Sequence, residues 1–331
     1  MWAGNVLLPL RWILGWTYFS AFWRRLVLEN KLVMDEPGYI GEKFNHFLPN
    51  AFLIQGPIEF FLLRPEWLWW KLLAFTIFEG LVGLALLLGW MTRGAGLAVA
   101  GLAGGILLGA GWLGTTCLDE WQIGLLGIGG GLAIFFAGGG SVSLDAVGYR
   151  RGIQPPTCLR WTNEPGFSTP RWIRKMVVPG AIALALLGLL TNQVFHGGVY
   201  GTLHNKSVKP MVEISSARVE DGTLTAQIYR VEGADVYGSF TIAARVVDAE
   251  GGTVVEWDAA ALAAMDTEQF RNHYIAKVRP GKNSLVLPLG AKADVSFHSE
   301  LLKSLPPGKY WLELEDISGV SWSEPLTLSR S

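Results

Sequence analysis

Cysteine is almost absent from this chain. Its 331 residues hold two, Cys117 and Cys158, with no CxxC or CxxCH spacing and no Cys/His cluster. Motifs for covalent c-type haem, a zinc ribbon or a cysteine-held iron–sulfur cluster are therefore missing. A dinucleotide or flavin fingerprint is missing too. The glycine pattern around Gly127, Gly129 and Gly130 lies inside apolar helical sequence, not between a strand and a helix, and reads as packing glycine. Charge is also scarce. Charged residues make up 17% and the formal net charge is −1. Residues 1–204 carry 14 Lys/Arg against 11 Asp/Glu, and residues 205–331 carry 13 against 17. Neither part is basic enough to take nucleic acid as a partner.

What fills the sequence instead is apolar: 50% hydrophobic and 12% aromatic, with 15 Trp. That exceeds an ordinary soluble domain of this length. The long apolar runs crowd into residues 1–204, and the rest reads like a soluble domain. A bilayer span needs about 20 apolar residues. Five segments qualify, near 4–23, 67–91, 94–114, 121–139 and 176–195. Arg11 and the bulky Trp16, Tyr18, Phe19 and Phe22 in the first segment, with no A-x-A site, argue for a retained span over a cleaved signal. Gly101, Gly104, Gly105, Gly109 and Gly127 to Gly131 should let the third and fourth spans approach closely. The expected fold is a membrane α-helical bundle of about five spans, followed by an all-β domain.

Lys and Arg near span ends set orientation. The loop between the fourth and fifth spans carries Arg150, Arg151, Arg160, Arg171, Arg174 and Lys175 against Asp145 and Glu164. That loop, residues 146–175, is expected in the cytoplasm, with the N-terminus inside. Segment 24–66, the turn 114–120 and everything after about residue 196 then face out. Segment 40–63 is greasy but broken by Pro49, Gly56 and Pro57, which suits an interfacial or re-entrant element. Beyond the fifth span (176–196), residues 205–331 alternate in hydropathy. Met211–Val219, Leu224–Tyr229, Phe240–Val247, Ser284–Leu287, Tyr310–Leu314 and Leu326–Leu328 read as strands, with a helix around Ala259–Phe270. The pattern predicts a small immunoglobulin-like β-sandwich without a disulfide.

Ionisable groups inside lipid need a reason. Arg11 and Glu79 sit in the first two spans, and a buried ion pair between them is the simplest expectation, serving as a structural clamp or in proton transfer to a reduced carrier. The outer face should gather Arg24 and Arg25 at the end of the first span, Cys117 in the turn before the fourth, and His46. Two guanidiniums suit a small oxyanion, and a thiolate is the nucleophile of sulfur exchange. Paired Arg also snorkels, and Asp119 also caps helices. Cys158 falls in the cytoplasmic loop and cannot reach Cys117. His196 and His204 follow the fifth span.

These stretches carry a resemblance. LRWILGWTYFSAFWRR (10–25), FEGLVGLALLLGWMTR (78–93) and GTTCLDEWQIGLLGIGGG (114–131) resemble DoxD, the membrane subunit of thiosulfate:quinone oxidoreductase in the wider DoxX-like group. LPPGKYWLELED (305–316) is similar to DoxA, the small partner subunit. The chain thus looks like a DoxD–DoxA fusion, with residues 1–145 as a DoxD-like four-helix membrane domain and 205–331 as a DoxA-like extracytoplasmic domain. The resemblance implies oxidation of two thiosulfates to tetrathionate at the extracytoplasmic face of the cytoplasmic (inner) membrane, with quinone as diffusible electron acceptor. On that reading Arg24, Arg25 and His46 hold substrate, Cys117 meets the sulfane sulfur, and Asp119 and Glu120 move protons or orient the site. The bilayer is an expected partner, no metal motif is seen, and a homo-oligomer is left open. A non-catalytic DoxX-like sulfur-compound carrier or assembly protein is the alternative. A mere anchor fits poorly, because an anchor needs one span.

Overall fold

The computed structural model describes residues 2–34, 36, 38–112, 120–153, 156–202, 209–234 and 239–328. The helices run α1 (Trp2–Val6), α2 (Leu8–Phe22), α3 (Gly41–Phe47), α4 (Gln55–Leu62), α5 (Pro65–Leu88), α6 (Thr92–Ala110), α7 (Glu120–Ala137), α8 (Leu144–Arg150) and α9 (Arg171–Thr191). All five expected spans appear as helices. Three are long and apolar enough to cross a membrane: Pro65–Leu88, Thr92–Ala110 and Arg171–His196, the last being α9 with its π-helical continuation. Trp121–Ala137 is shorter. The first span has fifteen α-helical residues before its backbone widens into a π-helical stretch, Trp23–Leu28.

Lipid supplies no hydrophobic drive between helices, so close backbone approach holds them together. Glycine permits it at two crossings. A Cβ on Gly83 of α5 would lie 2.4 Å from the Phe19 nitrogen of α2, and one on Gly131 of α7 would lie 2.5 Å from the Gly96 carbonyl of α6. The packing role expected of the glycine-rich spans is thus only partly right. Gly127 and Gly131 are contact glycines, whereas a Cβ on Gly101, Gly104 or Gly105 meets nothing within 4 Å. Those three lie on the side of α6 turned away from α7, because a 3.6-residue turn puts only every third or fourth residue on one face.

The chain divides into two compact units, and Gly41–Pro65 clusters with the strand region, not with the spanning helices. Among the described residues eleven strands follow: β1 (Met211–Glu220), β2 (Thr223–Glu232), β3 (Ser239–Asp248), β4 (Thr253–Trp257), β5 (Phe270–Asn272), β6 (Arg279–Pro280), β7 (Leu285–Leu287), β8 (Lys292–His298), β9 (Tyr310–Asp316), β10 (Ser321–Pro325) and β11 (Thr327–Leu328). They form two sheets, β11-β1-β2-β8-β5 and β10-β9-β3-β7-β6, with β4 also paired to β3. Alternate residues of both sheets meet in one core, with Ile228, Val295 and Phe297 from the first and Val246, Leu312 and Leu314 from the second. This is the expected all-β sandwich. The alternation in β1 slips from Val212 and Ile214 to Ala217 and Val219, because a bulge between Ser215 and Arg218 inserts a residue. The helix expected at Ala259–Phe270 is shorter. α10 covers Ala259–Ala263, and Phe270 already begins β5.

Segment 41–65 becomes two short helices seated on the sandwich. Asn45 is fully buried and acts as a bracket. Its side-chain amide donates to the Gly290 carbonyl, and its Oδ1 accepts from the Ala276 nitrogen at 2.9 Å. Gly290 has φ +74°, and a Cβ there would fall 2.0 Å from the Asn45 carbonyl, so glycine is required twice over. Asn50 donates to the Val231 carbonyl at 2.7 Å, and the Tyr274 hydroxyl donates to Glu59 at 2.7 Å. Burial first, then the Glu59 contact, pushes the Tyr274 phenol well above its usual range.

Candidate functional site

The contact between α2 and α5 is where the chemistry gathers. Gly15 and Gly83 bring the two backbones together, and Phe22 packs over Gly80. The π-helical stretch then continues α2 past the glycine crossing, so Arg25 arrives beside the middle of α5. There it forms an ion pair with Glu79. Glu79 is 5% exposed and the Arg25 side chain 26%. An unpaired carboxylate at this depth would cost several kcal/mol. Two further polar groups border the pair. Tyr18, 7% exposed, lies within electrostatic reach of Glu79. Thr76, one helical turn before Glu79, is completely buried, and its hydroxyl has no hydrogen-bond partner among the described residues.

The expected Arg11–Glu79 pair does not form. Arg11 lies fourteen positions before Arg25, about 21 Å along a helix axis at 1.5 Å per residue. That puts it at the other end of α2, where its guanidinium donates to the carbonyls of Gly139 at 2.5 Å and Val142 at 2.7 Å. These carbonyls belong to the non-helical turn after α7 and have no helical partners of their own. Arg11 is thus a clasp on that turn, and Glu79 takes the nearer cation.

The two acids of the basic loop are also accounted for. Asp145 accepts from the Met91 nitrogen at 2.8 Å, the Thr92 nitrogen at 2.9 Å and the Thr92 hydroxyl at 2.7 Å, capping α6. Burial raises its carboxyl above the usual range, against these bonds and the Arg11 charge. Glu164 pairs with the fully buried Arg93 at 2.8 Å, and Arg93 also donates to Thr169 and to the Phe136 carbonyl, each at 2.8 Å. A cavity of about 580 Å³ opens beside these groups, lined by Trp90, Tyr149, Trp161 and Arg160 among others. Cys158 is an exposed thiol in the same loop.

The remaining expected site residues are distributed as follows. Arg24 is exposed on the same π-helical stretch as Arg25 and donates through Nε to the Ser20 carbonyl at 3.4 Å. His46 is buried in α3, within the unit that contains the sandwich. His196 is buried, with Nε2 3.0 Å from the Gly111 carbonyl and its ring stacked on Trp121. Cys117, Asp119 and His204 lie outside the described residues, and Glu120 is described only as the first residue of α7. Of the expected set, the structure brings together Arg25 and Glu79. Sequence reading missed Tyr18, Thr76 and the buried role of Arg93. The available signal was a hydroxyl or a charge inside an otherwise apolar run.

Two family models match the chain. Residues 6–155 match DoxD, described as TQO small subunit DoxD, and residues 195–325 match DoxA, described as TQO small subunit DoxA.

Proposed function

Because the chain belongs to the DoxD and DoxA families, carried in tandem on one polypeptide, we propose that it is a thiosulfate:quinone oxidoreductase. It oxidises thiosulfate to tetrathionate at the extracytoplasmic face of the cytoplasmic membrane and passes the electrons to membrane quinone. The observation that carries this reading is the presence of both subunit families on one chain, with the membrane-length helices Pro65–Leu88 and Thr92–Ala110 in the DoxD part, Arg171–His196 linking the two parts, and the sandwich in the DoxA part.

The chemistry of the α2 end supports it. Thiosulfate is a small dianion with tetrahedral oxygens, and a guanidinium offers a planar fork of donors to such oxygens. Arg24 is exposed, and its bond to Ser20 uses Nε and not the terminal nitrogens that form the fork. Arg25 sits on the same stretch, with part of its side chain exposed beyond its contact with Glu79. In this proposal Arg24 and Arg25 hold the sulfonate oxygens, and His46 is a substrate-binding group. Cys117 is the thiolate that meets the sulfane sulfur, and Asp119 and Glu120 orient the site. The basic loop after α8 argues for an inner location of that loop, and hence for an outer location of the α2 end and the sandwich.

The test is thiosulfate-dependent quinone reduction by the purified full-length chain with no other protein present. Turnover is expected in the wild type and a loss of more than tenfold in Arg24→Ala. A protein that binds thiosulfate yet leaves quinone oxidised sinks the proposal. Wild-type turnover in Cys117→Ser removes the covalent role of the thiol and leaves the rest standing.

A further inference from the structure

The overall reaction has a proton requirement that the outer site does not meet. Two thiosulfate dianions join through a new S–S bond and lose two electrons, and no proton leaves them. Quinone gains those two electrons and two protons to become quinol. Each turnover therefore draws two protons from water and delivers them to oxygens of an apolar molecule within the bundle. Among the described residues, Glu79 is the one carboxylate lodged in the middle of a spanning helix.

We infer that Glu79 is the proton relay for quinone reduction and that Arg25 couples it to substrate arrival. The inference rests on the reading of the chain as a thiosulfate:quinone oxidoreductase. It also rests on four observations independent of that reading. Glu79 is 5% exposed near the centre of α5. Its counter-ion Arg25 lies on a different element, the π-helical stretch that also presents Arg24. The Thr76 hydroxyl, buried one turn away, lacks a hydrogen-bond partner among the described residues, and a hydroxyl both donates and accepts. Tyr18 of α2 is buried within electrostatic reach of Glu79. A structural clamp explains the ion pair alone. It does not explain an unsatisfied hydroxyl buried one turn away on the same helix, which is costly to leave unpaired.

The order of events follows from electrostatics. At rest the Arg25 guanidinium, paired with Glu79, favours its ionised form. A thiosulfate dianion arriving at Arg24 and Arg25 competes for the same guanidinium. Weakening that hold favours the protonated carboxyl at a buried site. Glu79 then takes a proton through the Thr76 and Tyr18 hydroxyls and passes it to a quinone oxygen as the two electrons arrive. A second cycle delivers the second proton. Arg25 thus serves both as an anion ligand and as the counter-ion of the relay, and no proton is taken up before the reductant is bound.

The test uses two electron acceptors. Ferricyanide takes one electron per ion and no proton, whereas a soluble short-chain quinone needs both. The purified full-length protein is assayed with thiosulfate and each acceptor in turn. In Glu79→Gln the quinone rate is expected to fall about a hundredfold and the ferricyanide rate by less than a tenth as much. Glu79→Asp keeps a carboxyl on a shorter arm and should recover part of the quinone rate while preserving the ion pair. It also serves if Glu79→Gln does not fold. Equal losses with both acceptors in both variants make Glu79 a clamp and overturn the inference. A wild type that reduces neither acceptor with thiosulfate overturns the underlying function instead.

Discussion

Replacing Gly83 by alanine isolates the contact on which the buried ion pair depends. The added Cβ would sit 2.4 Å from the Phe19 nitrogen, 2.7 Å from the Gly15 carbonyl and 2.9 Å from the Phe19 Cα, all backbone atoms. Ordinary contact begins near 3.4 Å, so α2 and α5 must part by about 1 Å. A backbone has no rotamer with which to yield, and overpacking of this kind costs about 1–3 kcal/mol. The same displacement draws Arg25 away from Glu79. Gly101→Ala is the matched control, because its Cβ meets nothing within 4 Å. There the only effect is the helical preference for alanine, worth about 0.5–1 kcal/mol in the stabilising direction. The two variants are chemically identical and both lie in spanning helices, so the helical preference cancels between them and they should differ by the overpacking cost alone, about 1–3 kcal/mol, with Gly83→Ala the less stable. Unfolding of the purified protein in mixed micelles titrated with SDS, followed by tryptophan fluorescence, measures the difference. Coincident midpoints for Gly83→Ala and Gly101→Ala would refute the close-contact account of the α2–α5 crossing.

Other consequences follow from the remaining contacts. Asn45→Ala strands the buried Gly290 carbonyl and Ala276 nitrogen, at about 1–3 kcal/mol for each group left unsatisfied. Amide hydrogen exchange across residues 41–65 should accelerate while the β2–β8 core stays protected, and unchanged exchange there removes the bracket. Arg93→Met leaves Glu164 without its ion-pair partner and should lower stability by about 3–5 kcal/mol, read as the unfolding midpoint. Tyr274 and Tyr229 have phenol pKa values raised chiefly by burial. A raised folded-state pKa contributes stability in full below the ordinary phenol value of about 10 and loses it as pH climbs through the folded value. An ultraviolet titration of the 8 tyrosines should show a late step, from Tyr274 and Tyr229, that coincides with unfolding. A single step for all of them contradicts the burial argument.

Much of the architecture was legible in the sequence, and the reasons separate the successes from the misses. Spans are written in runs of some twenty apolar residues, so all five appear as helices where the runs lie. Strands of the sandwich are written in period two, which located β1, β2, β3 and β9. β8 carries the same alternation, with Ala293, Val295 and Phe297 all buried. The pattern is masked in the sequence because Gly290, Lys292 and Asp294 break up the hydropathy around it. Partners are not written in the sequence at all. Glu79 was recognisable as a buried acid, but its cation depended on how far α2 continues beyond the glycine crossing. A π-helical stretch leaves no hydropathy signature. Arg11, nearer the start of its helix, found backbone carbonyls instead. Likewise the greasy, proline-broken stretch 40–63 looked interfacial by composition. Its attachment to the sandwich rests on Asn45, Asn50 and Glu59, three polar residues with no pattern between them.

The most direct measurement is the stoichiometry of turnover by the full-length chain alone, in liposomes that contain quinone. The account predicts one tetrathionate and one quinol formed for every two thiosulfates consumed, with no second protein added. Thiosulfate entering the vesicles without quinol formation would contradict it and make the chain a carrier.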